Sequence, residues 1–127
     1  MRLFKKKEEK VEKQDFPEHI KKLEDKNFND FIEKYPLCLI DFWAPWCKPC
    51  RNMTPRIRRL NKLLKGQVAF GKINIQNNKK TAEKYKVMSI PNIIIFKNGK
   101  EKANLTGLKT VGEIKKILKK NRMKIWN

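Results

Sequence analysis

The sequence predicts a three-layer α/β sandwich in which a central mixed β-sheet is flanked by helices on both faces. Two observations support this fold class. The segment from Leu37 to Ala44 is almost continuously apolar, which is typical of a parallel strand that is covered on both faces. Further along, Asn98-Gly99 predicts a tight β-hairpin, so the sheet is expected to end with antiparallel strands.

The first half of the folded region is predicted to contain two strands and two helices. Ile20 to Leu23 has strand character, and Asn27 is a candidate N-cap for a short helix that Pro36 terminates. After the apolar strand, a long helix is expected to start at Cys47 and to end near Gly66. Apolar residues at helical spacing mark its buried face: Met53, Ile57, Leu60 and Leu64.

The second half is predicted to alternate in the same way. Gln67 to Ile75 and Asn92 to Phe96 have strand character, and a short helix around Ala82 to Lys86 separates them. After the hairpin, Thr110 and Glu113 have the spacing of a capping box ahead of a closing helix. The expected order is therefore strand, helix, strand, helix, strand, helix, hairpin and helix.

The length of 127 residues is that of one ordinary domain. We expect a flexible, charged N-terminal extension over residues 1–18, a folded domain over 19–120 and a short tail over 121–127. The extension is rich in lysine and glutamate, and it has too few apolar residues to offset the entropy of ordering.

No apolar run approaches the roughly 18 residues of a membrane-spanning helix. A run of charged residues begins at Lys5, which leaves no room for the apolar stretch of a secretory signal. The three cysteines are an odd number and fit poorly to a disulfide-stapled secreted domain. We therefore expect a cytoplasmic protein that is not associated with a membrane.

The formal net charge of +19 would also suit a protein that binds nucleic acid or an anionic membrane. However, the lysines are spread over every segment, with no zinc-finger spacing and no recognisable basic helix for a groove. We expect no specific binding of nucleic acid. A lysine-rich, solvated surface that attracts acidic partner proteins, more weakly at high salt, is the favoured interpretation.

Cys47 and Cys50 are separated by two residues at a predicted strand-to-helix junction. Two cysteines at this spacing can close a small disulfide ring or open to a dithiol. A helix N-terminus stabilises a thiolate through its unpaired N–H groups and its dipole, which favours Cys47 as the attacking group. Cys50 lies one turn further along, so it is expected to be shielded and to act second, on the mixed disulfide.

The same spacing also occurs in zinc sites and in structural loops, so the cysteine pair alone is only moderately specific. A closed zinc site needs four ligands. The chain has no second pair of this kind and one histidine, His19, so no metal site is expected.

Asp41 interrupts the apolar strand six residues before Cys47. A buried carboxylate costs several kcal/mol unless it is paired or protonated. A buried acid beside a dithiol could move protons for Cys50, whereas an acid at a sheet edge would simply be solvated. Lys72, in the third strand, could reach toward Asp41, although a lysine taken alone is more often exposed.

Ile90-Pro91 precedes an apolar strand. Proline has no N–H to donate to a sheet, so its position at the start of a strand fits a special loop. A cis peptide bond before Pro91 would explain the placement.

Together these residues resemble the active site of the thioredoxin family. Asp41 to Cys50 is similar to the family's active-site strand and loop, and Lys72 to Ile75 to its third-strand motif. Ser89-Ile90-Pro91, with the strand that follows, resembles its cis-proline loop. The likeness runs from about residue 19 to residue 120.

The resemblance implies a thioredoxin fold and a protein-disulfide reductase. It implies that Cys47 attacks the substrate disulfide and that Cys50 resolves the mixed disulfide, while Asp41 with Lys72 assists proton transfer. It also implies disulfide-containing substrate proteins, a thioredoxin-reductase-like electron donor, a monomeric state and no bound cofactor.

The resemblance further assigns residues around the dithiol. Trp46, Ile90 and Pro91 are expected to contact the substrate. Residues expected to support the site are Trp43, Lys48 and Pro49.

Two departures from the family pattern bear on function. Lys48 replaces the usual glycine between the cysteines, and a cation there should favour the Cys47 thiolate and make the disulfide more oxidising. Asn92 stands where threonine commonly follows the proline. Lys48 therefore leaves a net oxidant or isomerase as an alternative function. The basic surface leaves a second one, a non-catalytic binding module that uses the fold as a scaffold. Cys38 is expected to be a buried, inert thiol.

Overall fold

The structure, a computed structural model, describes residues 16–122. Most of the predicted N-terminal extension and tail, residues 1–15 and 123–127, lies outside the described residues. Phe16 is described, and it is buried with its ring centroid 5.5 Å from that of Tyr35. The part of the predicted extension that the structure describes therefore contributes an apolar side chain to the core.

The predicted order of elements is confirmed. The strands are β1 (Lys21–Leu23), β2 (Leu37–Trp43), β3 (Ala69–Asn74), β4 (Asn92–Lys97) and β5 (Lys100–Thr106). The helices of the described residues are α1 (Phe28–Lys34), α2 (Lys48–Leu64), α3 (Lys79–Lys84) and α4 (Val111–Asn121).

The strands form one sheet in the order β1-β3-β2-β4-β5. β1, β3 and β2 are parallel, while β4 pairs antiparallel with both β2 and β5. The predicted three-layer sandwich with a mixed sheet, the thioredoxin fold, is confirmed. The carboxyl ends of β2 and β3 and the start of β4 lie at the same edge, where the loops of the site meet.

Each face of the sheet carries its own apolar core. One core packs α1 against Ile40, Phe42 and Ile94, and the other packs α2 and α4 against Leu39 and Ile95. Because side chains alternate along a strand, Asp41 points to the same face as Leu39, toward α2. Gly71 on β3 has no room for a side chain, since a Cβ there would lie 2.6 Å from Leu23 Cδ1.

Two predicted features that depend on residues close in sequence, the capping box and the hairpin turn, are present in the structure. The capping box of α4 is confirmed, because Glu113 N donates to Thr110 Oγ1 and Thr110 N donates to Glu113 Oε1. The hairpin turn is also confirmed, with Asn98 and Gly99 at φ values of 52° and 80°.

Two local predictions were wrong in detail. Asn27 occupies the N-cap position of α1, but its side chain accepts from Glu24 N and closes the preceding turn instead of capping the helix. The helix α3 begins at Lys79 rather than near Ala82. Its first turn is held by the Asp25 carboxylate, which accepts from both Thr81 N and Thr81 Oγ1.

Candidate active site

The site is built around a disulfide between Cys47 and Cys50. Cys47 is the N-cap of α2 and Cys50 lies in the first turn, with 5.3 Å between their Cα atoms. The Cys50 N–H donates to Cys47 Sγ at 3.2 Å, so an amide of the helix N-terminus already points at the first sulfur. Both residues are buried, at 5% and 2% exposure, and Cys47 is the more accessible of the two.

The first turn of α2 is electrostatically suited to an anion at Cys47. It contains no acidic residue, and Lys48 lies exposed directly after the cysteine. Pro49 follows as the second helical residue, where a proline needs no N–H partner. Reduced Cys47 would therefore be stabilised as a thiolate by the helix N-terminus and the neighbouring cation.

Asp41 is buried on the face of the sheet that α2 covers. Its Oδ1 has no hydrogen-bond partner among the described residues. Burial raises the pKa of Asp41 from 3.8 to about 7, and the positive charge of Lys72 opposes that rise. Cys50 belongs to the buried face of α2, so the carboxyl group and the second cysteine lie in the same layer between helix and sheet.

Lys72 is the register partner of Asp41 across β2 and β3. Its side chain is partly buried, and Nζ lies 5.7 Å from the centroid of the Trp43 ring. Within residues 16–122 the lysine and the carboxylate form no direct ion pair. The cation is therefore held on the aromatic face and acts on Asp41 through space.

The two tryptophans of the active-site loop differ in exposure. Trp43 is partly buried, and its Nε1 has no hydrogen-bond partner among the described residues. Trp46 is 67% exposed. Trp43 packs beside the cysteines, whereas Trp46 offers its ring to solvent.

The loop before β4 approaches the cysteines from the other side. The Ile90–Pro91 peptide bond is cis, and Pro91 O accepts from Gly107 N at 2.8 Å. Ile90 is half-buried and packs against the cluster that contains both cysteines. The proline loop, the cysteine loop and the loop after β5 are thus joined at one edge of the sheet.

Three residues near the site were missed by the sequence analysis. Met88 is 92% exposed in the loop before Pro91, and Leu108 is 42% exposed in the loop after β5. Arg51 donates from Nη1 to Pro45 O at 3.0 Å and so braces the cysteine loop. Large apolar residues inside predicted loops were the signal for the first two.

Asn92, directly after the cis proline, is buried in a polar contact with β5. Its Nδ2 donates to Asn104 Oδ1 at 2.7 Å and to Thr106 Oγ1 at 3.1 Å. Its own Oδ1 has no partner among the described residues. The residue therefore ties β4 to β5 at the edge where the site lies.

The described residues give little support to metal binding, to a reactive Cys38 thiol or to a membrane-spanning helix. No group of three or more His, Cys, Asp or Glu side chains is arranged to hold a metal ion there. Cys38 is buried, as predicted, and burial raises the pKa of its thiol well above the usual range. Among residues 16–122, no helix has the length and apolar composition to cross a bilayer.

Comparison with known proteins gives a consistent result. The family model described as Thioredoxin matches residues 19–120. A thioredoxin from Chlamydia pneumoniae is 48% identical over 90 residues, covering 71% of this chain and 86% of that protein. A thioredoxin from Rickettsia bellii (strain RML369-C) is 44% identical over 85 residues, covering 66% of this chain and 81% of that protein.

A solved structure of a thioredoxin variant from Halobacterium salinarum NRC-1 superposes with a TM-score of 0.79 at 23% identity. The match covers 85% of this chain and 95% of that chain. It supports the fold.

Proposed function

The chain belongs to the thioredoxin family and is a thiol–disulfide oxidoreductase that reduces protein disulfides, and we propose how its residues divide the reaction. In the reduced protein, the Cys47 thiolate attacks one sulfur of the substrate disulfide. The other substrate sulfur leaves as a thiolate and takes up a proton, and Cys47 is held in a mixed disulfide. The observation that carries this assignment is the position of Cys47 at the N-cap of α2, with the Cys50 N–H directed at its sulfur.

Cys50 resolves the mixed disulfide. It must lose its proton before it attacks Cys47 Sγ, because the thiolate is the nucleophile. Attack forms the Cys47–Cys50 disulfide and expels the second substrate thiolate, so two electrons pass from the protein dithiol to the substrate. The deeper burial of Cys50 supports its action after Cys47.

Asp41 accepts the Cys50 proton in this scheme. A carboxyl group with a pKa of about 7 can take up and release a proton near neutral pH, unlike an ordinary aspartate. Lys72 is a positioning residue, because its charge lowers the pKa of Asp41 and keeps the carboxyl group within this range.

Trp46, Ile90 and Pro91 contact the substrate in this scheme, and of the three only Pro91 is buried in the free protein. Trp46 is exposed next to the disulfide, and Ile90 packs against the cysteine cluster from the opposite loop. An extended substrate segment lying between these loops would place its sulfur against Cys47. Residues that support the site in this scheme are Trp43, Lys48 and Pro49.

The oxidised protein must be recharged, and a thioredoxin-reductase-like enzyme is the proposed electron donor. A cytoplasmic location fits this cycle, because disulfides in reducing compartments are mainly transient and catalytic. A monomer is favoured because the edge strand β5 begins with the exposed charged residues Lys100, Glu101 and Lys102, which oppose pairing with a second sheet. Light scattering across a range of protein concentrations would test the monomeric state.

The insulin-reduction assay with dithiothreitol as donor tests the activity. We expect clear acceleration over dithiothreitol alone, and absence of acceleration would contradict the function. Cys50→Ser is expected to accumulate a mixed disulfide through Cys47, seen by mass spectrometry after digestion. Cys47→Ser is the matched control and should trap nothing.

A further inference from the structure

Besides the segment that follows β1, four segments meet at the edge of the sheet that carries the disulfide. These disulfide-end segments are residues 44–51, 75–79, 86–91 and 107–110. Ile75 N donates to Trp43 O at 2.9 Å, and Gly107 N donates to Pro91 O at 2.8 Å, which fixes neighbouring segments side by side. Ile75 and Ile90 also pack against the cluster that contains Cys47 and Cys50, so these segments surround the disulfide.

This surface exposes large apolar side chains. Four such side chains are exposed among residues 16–122, and three of them lie in the disulfide-end segments: Trp46, Met88 and Leu108. Exposed apolar side chains that lie together at one end of a protein mark a site for a protein partner. A polar rim is expected around it.

The charged residues of these four segments are all basic. The disulfide-end segments contain five basic residues and no aspartate or glutamate: Lys48, Arg51, Lys79, Lys86 and Lys109. The hydrogen bond from Arg51 to Pro45 O holds one of these cations at the cysteine loop.

Carboxylates of the neighbouring elements neutralise only the margin of this rim: Glu113 acts on Lys109, and Glu24, directly after β1, pairs with Lys26 at 3.6 Å. Asp41 is buried beneath the surface. Asp25 accepts from Thr81, and Glu113 accepts from Thr110 N at the start of α4. Both hydrogen-bonded acids lie at the margins, where Lys80 and Lys109 respectively act on them.

We propose that this protein selects protein disulfides that are flanked by acidic side chains. The inference deepens the reductase function proposed above and rests on it. An apolar side chain of the substrate packs on Trp46 and Met88, while its carboxylates face Lys48, Lys79 and Lys86. Attraction between opposite charges raises the rate of encounter and disfavours basic partners.

The apolar side chains beside the disulfide favour a protein over a nucleic acid as the occupant. A phosphate backbone would use the cations alone and would leave Trp46, Met88 and Leu108 without apolar contacts. An oligonucleotide is therefore the competing ligand to include in the test.

The experiment compares three disulfide-closed peptides of one length that differ only in the residues flanking the cysteines, which are glutamate, glutamine or lysine. The reduced full-length chain is assayed for kcat/KM at low ionic strength and again in 0.5 M NaCl. We expect the glutamate peptide to exceed the lysine peptide by about tenfold or more at low salt. The difference should fall to about twofold or less at high salt, because the Debye length is then only a few ångströms.

A matched pair of variants locates the effect. Lys79→Glu with Lys86→Glu reverses two rim charges and should abolish the preference. The fold should persist for two reasons. An acid at position 79, the first residue of α3, is favourable at a helix N-terminus. At position 86, where φ is 53°, glutamate is unbranched at Cβ like the lysine that it replaces. Lys100→Glu with Lys102→Glu makes the same change in net charge at the start of β5, at the opposite end of the sheet, and should keep the preference.

The outcomes separate the two claims. Failure to reduce the glutamine peptide would contradict the reductase function itself. Equal kcat/KM values for all three peptides, or equal losses in the two double variants, would overturn the proposed selectivity alone. Inhibition by a thymidine oligonucleotide that is stronger than inhibition by a non-reactive acidic peptide of equal charge would also overturn it.

Discussion

Asp41 and Lys72 lie opposite each other in the register of β2 and β3, yet the lysine ammonium rests over the Trp43 ring and not on the carboxylate. The acid is therefore influenced by the cation without being paired to it. A direct ion pair would hold the carboxyl group ionised and unable to take up a proton near pH 7. The through-space arrangement leaves it buried, with a pKa of about 7.

Asp41→Asn should change the pH dependence of stability. The pKa of Asp41 is about 7 in the folded state and 3.8 without burial, so the unfolded chain binds fewer protons between these values. The free energy of unfolding therefore falls as the pH rises from about 4 to 7, by on the order of 4 kcal/mol from this group. Asn carries no charge to bury, so this fall should be absent in the variant.

Urea unfolding of both proteins at pH 4 and at pH 8 measures the effect. The free energy of unfolding of Asp41→Asn minus that of wild type is expected to be larger at pH 8 than at pH 4. Asp30→Asn, which removes an exposed acid of α1, serves as the control for the loss of one negative charge. Parallel pH dependences for wild type and Asp41→Asn would contradict the burial argument.

Lys72→Met should shift the pH dependence of disulfide reduction. The charge of Lys72 lowers the pKa of Asp41, so its removal should raise that pKa above about 7. The rise in the rate of mixed-disulfide resolution with pH should then move to higher pH. Single-turnover reduction across pH 6 to 9 measures the shift, and Lys72→Arg, which keeps the charge, should restore the wild-type profile.

Lys48→Gln should make the disulfide harder to reduce. The cation at the N-terminus of α2 stabilises the Cys47 thiolate and with it the reduced state. Loss of this stabilisation, about 0.3 to 1 kcal/mol, should lower the reduction potential by roughly 6 to 20 mV. Equilibration with glutathione buffers measures the potential, and Lys102→Gln on β5 is a control for net charge alone.

The fold was predictable because most of its signals are local. The apolar run over β2, the spacing of Met53, Ile57 and Leu60 in α2, and the Asn98-Gly99 turn each depend on residues close in sequence. The positions of Cys47 and Cys50 at a helix start followed from the same patterns.

Contacts between distant segments were not predictable in this way. The start of α3 depends on a carboxylate 56 residues earlier, at Asp25. Met88 and Leu108 stand out in the sequence as apolar residues in loops, but their exposure depends on packing against segments that are distant in sequence. The position of the Lys72 side chain over Trp43 depends likewise on the packing of two strands.

Asn92→Thr should stabilise the protein without loss of activity. The Asn92 Oδ1 is buried and unpartnered among the described residues, which costs about 1 to 3 kcal/mol. Threonine removes that carbonyl, suits a strand, and can donate its hydroxyl to the oxygen that Asn104 or Thr106 offers on β5. We expect a gain of about 1 kcal/mol in the free energy of unfolding, measured with denaturant at pH 7.

Asn92→Ala separates the two contributions. It also removes the unpartnered carbonyl, but it leaves a small cavity and no donor toward β5, so it should be less stable than Asn92→Thr. Both variants should retain the kcat/KM for insulin reduction, since the Asn92 side chain bonds to β5 rather than to the disulfide-end segments. A less stable Asn92→Thr would mean that the two hydrogen bonds to Asn104 and Thr106 outweigh the buried oxygen, and that asparagine is the better residue after this cis proline.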